Sequence, residues 1–148
     1  RVITRSPDLG GEDYDAVSVP AFKDRAEAGA FAVHWGSHGL YYGIPRSVLQ
    51  RLNSGTDCLA NFSRKALADA SGRVPKFVVL NITAQPETLA ARLAARGRES
   101  QDQIARRLAE AHKPLPDGLT VIHVSNDGPL DQTVARAVAL LQPAGVTG

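Results

Sequence analysis

Three stretches of the chain are almost uninterruptedly apolar: CLANF (58–62), KFVVLNIT (76–83) and LTVIHVS (119–125). Their continuity, where a half-exposed strand would alternate, predicts strands buried on both faces of a parallel sheet. Between and after them the spacing changes to helical. SRKALADASG (63–72) predicts a helix ending at Gly72. PETLAARLAARG (86–97) predicts one with Pro86 in its first turn and Gly97 at its C-terminal cap. Leu89 and Leu93, four apart, give that helix a buried stripe. SQDQIARRLAEAH (100–112) opens with a Ser100–Gln103 capping pair. DQTVARAVALL (131–141) sets Val134, Val138 and Leu141 on one face. Strands alternating with helices predict βαβ units and an α/β fold.

The first third has a different rhythm. DAVSVPAF (15–22) and GAFAVHWGSHGLYYGIP (29–45) predict short strands around a small helix, KDRAEAG (23–29). This is the pattern of a small inserted lobe, mostly antiparallel, over about residues 13–45. Ahead of it, RVIT reads as a strand that delivers Arg5 to a turn containing Pro7, Gly10 and Gly11. No Pro/Gly/Ser linker interrupts the chain, so residues 1–148 are expected to form a single domain. The tail QPAGVTG (142–148) is expected to be flexible.

Composition narrows the class. The 148 residues are 43% hydrophobic and 22% charged, with a formal net charge of +2. These values suit a soluble globular domain and give no reason to expect a nucleic-acid partner. No apolar run approaches the roughly 18 residues that span a membrane, so no membrane partner is expected either. One cysteine, Cys58, excludes an internal disulfide and fits a reducing, cytoplasmic location. Oligomeric state carries no signal in the pattern.

Three places could carry chemistry. RLAARGRESQDQIARRL (92–108) puts Arg92 and Arg96 on one helix face, Arg98 in the following turn, and Arg106 and Arg107 on the next helix. Guanidinium forks that converge in this way suit phosphate oxygens. The plainer alternative is a solvated basic face balanced by Glu87, Glu99, Asp102 and Glu110. GLYYG (39–43) sets two phenols between glycines, on a tight turn from which they could donate to a phosphate or sugar oxygen. A hairpin packed by two aromatics is the alternative there. TRSPDLGGED (4–13) is a loop opened by Arg5. His34, His38 and Cys58 lack companions for a metal site and read as structural, and no protein ligand for a metal is expected. No G-x-x-x-x-G-K-S/T phosphate loop and no G-x-S-x-G elbow occurs in these residues.

In order along the chain, TRSP (4–7), GGED (10–13), LYYG (40–43), LANFS (59–63), RLAARGRES (92–100), ARRL (105–108) and VSND (124–127) resemble the guanylate kinase family. Within it, ITR (3–5), GGED (10–13), HGLYYGIP (38–45) and ANFSR (60–64) are most similar to the ribose 1,5-bisphosphate phosphokinases of phosphonate breakdown. The resemblance implies a guanylate kinase-like P-loop kinase fold: a parallel sheet flanked by helices, with the antiparallel lobe inserted. It implies transfer of a phosphoryl group from ATP, with Mg²⁺, to ribose 1,5-bisphosphate, giving 5-phosphoribosyl 1-diphosphate. The small-molecule partners would be ATP and a sugar phosphate. A guanylate or other small-acceptor kinase is one alternative, and a non-catalytic guanylate-kinase-like binding module is another.

Carried over residue by residue, the resemblance assigns the acceptor to Arg5, Tyr14 and Tyr42, with Asn61 and Ser63 facing its sugar. Arg92, Arg96 and Arg107, on lid-like helices at about 92–112, would clamp the transferring phosphoryl group. Asn126 would sit beside the adenine. Asp8 stands where guanylate kinases place a second arginine, while Val33 and Asn61 stand where they place two carboxylates that grip guanine. These departures favour a small hydroxylated acceptor over GMP. The family's first strand and phosphate loop have no counterpart in these residues, so the sequence is expected to begin late and to need an upstream phosphate loop for activity.

Overall fold

A computed structural model of the chain describes residues 1–6, 12–97, 100–111 and 113–142. It falls into two units, Arg1–Phe77 and Val78–Gly148. The sequence readings at Pro7, Asp8, Gly10, Gly11, Arg98, Glu99 and most of the tail lie outside the described residues.

The first unit is built on a four-stranded sheet in the order β2-β1-β4-β3. Strand β1 (Val2–Ile3) runs parallel to β2 (Asp15–Ala16) and antiparallel to β4 (Leu40–Pro45), which pairs in turn with β3 (Phe31–Ser37). The expected antiparallel hairpin is therefore present, and it continues directly into the strand that leads to Arg5. His38 and Gly39 close the hairpin with φ of 52° and 76°, both in the left-handed region that a two-residue turn between twisted strands requires. This corrects the sequence reading of GLYYG. The turn lies one step earlier, and the two tyrosines stand on β4, pointing to opposite faces.

Each face has its own core. Val33, Trp35 and Ile44 pack against Ala66 and Ala70, which belong to a 3₁₀ turn (Arg64–Ala66) and α3 (Leu67–Arg73). Tyr42 joins them, its ring stacked on Trp35 at 5.5 Å. On the other face, Val2 and Phe31 pack on Phe22 of α1 (Val19–Glu27), with Tyr41 alongside. A register shift between Phe31 and Val33 lets these two residues serve opposite cores. The helix expected at 23–29 thus begins earlier, because Ser18 Oγ caps the Ala21 N–H and Pro20 fits the first turn. The apolar run read as a strand over 15–22 is divided: Asp15–Ala16 form β2, and its second half is that first turn. Helix α2 (Ser47–Asn53), which has no side-chain cap, was not foreseen.

Gly43 makes the Phe31 packing possible. A Cβ at this position would meet the Phe31 ring at 2.6 Å. The ring cannot easily yield, being stacked on Phe22 with centroids 4.7 Å apart. Gly43→Ala should therefore lower stability by about 1–3 kcal/mol through overpacking. Denaturant unfolding checks this, and an unchanged midpoint would mean that the ring moves aside freely.

The run at 58–62 is not a strand. Among the described residues it pairs with no sheet edge, and Leu59 is 86% exposed. Its apolar residues gave the right chemistry for a strand, but a strand also requires a partner for its backbone.

In the second unit β5 (Val78–Thr83) and β6 (Thr120–Ser125) run parallel in unbroken register from Val78↔Thr120 to Thr83↔Ser125. Helices α4 (Pro86–Ala95) and α5 (Gln101–Ala111) form the crossover that a parallel pair needs, and α6 (Leu130–Leu141) follows β6. Helix α4 ends as expected, with Gly97 at φ 60°. The capping pair at α5 also forms: the Ser100 N–H donates to Gln103 Oε1 at 2.8 Å, and the Gln103 N–H to Ser100 Oγ at 3.3 Å. Helix α6 is rotated away from the expected face. Thr133 is buried, while Val134, Val138 and Leu141 are exposed. The Thr133 hydroxyl engages Asn126 Oδ1 and the Pro129 carbonyl, so polar anchoring sets the rotation of this helix. Among the described residues no helix is long and apolar enough to cross a membrane.

Candidate functional site

The strand alternation that buries Ile3 opposite Tyr42 also carries Arg1 to the Tyr42 face. The Arg1 guanidinium lies 5.2 Å from the Tyr42 ring centroid. Its Nε donates to Glu12 Oε2 at 3.0 Å, its Nη2 pairs with Glu12 Oε1, and its Nη1 donates to the Asn61 carbonyl at 2.7 Å. Hydrogen bonding from Arg1 holds the Glu12 carboxyl below its ordinary pKa of 4.5, against the opposing effect of burial. Arg1 and Glu12 thus fasten the irregular 58–62 segment to the sheet beside Tyr42. Neither was singled out as functional in the sequence. The signals that could have found them are the period-2 step from Ile3 back to Arg1 and the acidic residue of GGED.

Arg5 forms a second cluster with Tyr14. Its Nε donates to the Tyr14 hydroxyl at 3.2 Å, and its guanidinium lies 4.7 Å from that ring's centroid. The Tyr14 hydroxyl in turn donates to the Ser6 carbonyl. A cation and a phenol are thus held together. Ser63 is placed differently. Its Oγ is buried with no hydrogen-bond partner among the described residues. His34 contacts Phe22 edge-on and His38 occupies the turn, in line with their structural readings.

The second unit places its polar groups where the strands end, which is where ligands of parallel α/β sheets bind. The Asn126 N–H donates to the Thr83 carbonyl at 2.7 Å, joining the ends of β5 and β6. Asn126 Oδ1 accepts from Thr133 Oγ1 at 3.0 Å, and its carbonyl accepts from Arg92 Nη1 at 2.6 Å. Asp127 accepts from the Gln85 N–H and from Ser125 Oγ, each at 2.7 Å. The Gln85 bond is the chief reason its carboxyl sits below the ordinary range. Asp127 therefore caps the start of α4 from the far side of the strand pair, a role that local sequence could not reveal.

A cavity of about 560 Å³ opens in this unit, lined by Arg92, Arg96, Arg107 and Asn126, with Leu93 and Leu108 on its apolar side. Arg92 and Arg96 come from α4 and Arg107 from α5, so the structure brings together three of the arginines read from the sequence. Arg106 is not among the lining residues. Such a chamber suits a flat apolar ring at its leucines and an anion at its guanidiniums.

No family model matches the chain. The chain is 48% identical over 143 residues to a ribose 1,5-bisphosphate phosphokinase of Ruegeria sp., covering 96% of this chain and 75% of that protein. It is 44% identical over 142 residues to a protein of the same name from Agrobacterium fabrum, covering 96% and 78% respectively. A bifunctional ribose 1,5-bisphosphokinase-thymidine phosphorylase of Cupriavidus pinatubonensis is 42% identical over 148 residues, which make up 25% of its length. Among solved structures, a guanylate kinase from Anaplasma phagocytophilum superimposes on 94% of this chain and 71% of its own, with a TM-score of 0.64 at 18% identity. The fold is that of the guanylate kinases.

Proposed function

The chain belongs to the ribose 1,5-bisphosphate phosphokinase family, and from that premise we propose that it transfers the γ-phosphoryl group of ATP to the 1-phosphate of ribose 1,5-bisphosphate. The bond from the γ-phosphorus to the β,γ-bridging oxygen breaks, and a bond from that phosphorus to a 1-phosphate oxygen forms. The products are ADP and 5-phosphoribosyl 1-diphosphate, the outcome expected of an enzyme of phosphonate breakdown.

The observation that carries this reading is the meeting of Arg92, Arg96 and Arg107 with Asn126 on one cavity. Phosphoryl transfer asks for positioning and charge stabilisation more than for covalent chemistry from the protein. In this reading Arg96 and Arg107 hold the nucleotide's phosphate oxygens. Arg92 divides its fork between the Asn126 carbonyl and the cavity. Asn126, its amide oxygen taken by Thr133, has its NH₂ to offer a base nitrogen. Arg5 and Tyr14 receive the acceptor's phosphate, and Tyr42 with Asn61 lies along its sugar. ATP supplies the phosphoryl group, and Mg²⁺ would arrive on the nucleotide's own phosphates. Among the described residues no group of three or more His, Cys, Asp or Glu converges to hold an ion. No step is assigned to a metal.

The test is direct. Full-length protein incubated with Mg-ATP and ribose 1,5-bisphosphate should yield ADP and 5-phosphoribosyl 1-diphosphate in equal amounts, read by the new diphosphate signals in phosphorus NMR. ATP consumption without 5-phosphoribosyl 1-diphosphate, whose signals are distinct from those of ADP, would overturn the assignment.

A further inference from the structure

Gln85 occupies the N-cap of α4 in an extended conformation (φ −60°, ψ 148°) and makes no side-chain capping bond. The acceptor comes instead from the end of β6. Asp127 Oδ1 takes the Gln85 N–H at 2.7 Å, and Ser125 Oγ holds Asp127 Oδ2 at 2.7 Å. A carboxylate suits the positive end of a helix. About two turns further along α4, Arg92 Nη1 donates to the Asn126 carbonyl at 2.6 Å. Two successive residues after β6 thus tie the helix at two points. The tying segment is itself braced, because the Asn126 N–H donates to the Thr83 carbonyl at 2.7 Å and its Oδ1 accepts from the buried Thr133 hydroxyl at 3.0 Å. Asp127 is not among the residues that line the arginine cavity.

We infer that Asp127 is a positioning residue for the arginines of phosphoryl transfer: together with the Arg92 bond it fixes the axis of α4, and so the place of Arg96 at the cavity. The inference rests on the reading of that cavity as the site of phosphoryl transfer, and it adds a residue that acts there only through others. Without Asp127 the helix is tied to this segment at Arg92 alone, and one point does not fix the direction of an axis. Arg96 lies about 6 Å along the axis beyond that point, at about 1.5 Å per residue. A swing of about 10° carries it about 1 Å, and a misplacement of that size can cost about a hundredfold in rate.

The experiment follows steady-state kinetics of the full-length protein with Mg-ATP and ribose 1,5-bisphosphate, alongside melting curves. Asp127 is exposed, so its variants should fold. Asp127→Ala should lower kcat about a hundredfold. The KM for ribose 1,5-bisphosphate should stay within about threefold, because the displaced arginines act mainly in the transition state. Asp127→Asn keeps a carbonyl oxygen for the Gln85 N–H and should return kcat to within about fivefold of the parent. The deciding variant combines Asp127→Ala with Gln85→Asp, which gives α4 a capping carboxylate from its own chain but no tie to β6. A residue that served only the stability of the helix would be replaced by this local cap, and kcat would recover. The positioning role requires kcat to stay down by about a hundredfold. Recovery of kcat in the double variant, or an unchanged kcat in Asp127→Ala, overturns the inference and leaves the functional reading standing. Failure of the unaltered protein to turn over ribose 1,5-bisphosphate overturns the functional reading and this inference with it.

Discussion

Replacing Arg107 with alanine is expected to lower kcat about a thousandfold, the low end of what an arginine on a transferring phosphoryl group contributes. The KM for ribose 1,5-bisphosphate should move by less than about threefold, because such a contact strengthens mainly in the transition state. Arg107 stands on α5 at a cavity whose other arginines come from α4. In the transition state charge is spread over the equatorial oxygens of the phosphoryl group as it passes between its two oxygens, and a guanidinium already in place stabilises it without reorganising. The residue is exposed, so the variant should fold with a stability within about 0.5 kcal/mol of the parent. Steady-state kinetics alongside a melting curve decides the matter. A fall in kcat of less than tenfold would remove Arg107 from the transition state, and a matching rise in KM would make it a ground-state ligand.

The second large effect concerns the acceptor. The kcat/KM for ribose 1,5-bisphosphate should exceed that for GMP by about a thousandfold or more, since a base whose donors go unpaired is rejected strongly. Val33, matched by the resemblance to a guanine-gripping glutamate, is 1% exposed and serves the core. Asn61 replaces the matched aspartate and carries no charge. The carboxylate that does stand nearby, Glu12, is already bound by both Nε and Nη2 of Arg1. Guanine would have to break that fork to find an acceptor. Parallel assays with the two acceptors under Mg-ATP measure the ratio, and comparable turnover of GMP would sink the argument.

What could be read from the sequence was what depends on near neighbours. The Ser100–Gln103 cap, the stop at Gly97 and the parallel pair of apolar strands were visible because each is fixed by residues a few positions apart. The arginines of α4 and α5 were equally visible, because helical spacing alone places Arg92 and Arg96 together. What failed depends on distant partners. The run at 58–62 had strand chemistry but found no edge to pair with among the described residues. The rotation of α6 is set by the Thr133 bond to Asn126, and a hydrophobic stripe cannot report it. The tyrosines of GLYYG were placed on a turn because glycine flanks suggested one, while the left-handed pair is His38–Gly39. Arg1 and Asp127 escaped notice because one partner of each, Asn61 and Gln85, lies 60 and 42 positions away.

The setting of Arg1 bears on how tightly a small acceptor can be held. Ordering a long side chain on binding costs about 0.5–1.5 kcal/mol of lost freedom. Here three nitrogens of Arg1 are already engaged by Glu12 and Asn61, and Tyr42 is stacked on Trp35, itself stacked on Phe62. In the proposed reading this side of the acceptor site has its contacts made before any ligand arrives. A sugar phosphate, with few atoms to contribute contacts, can then keep most of the interaction energy that a looser site would lose to entropy.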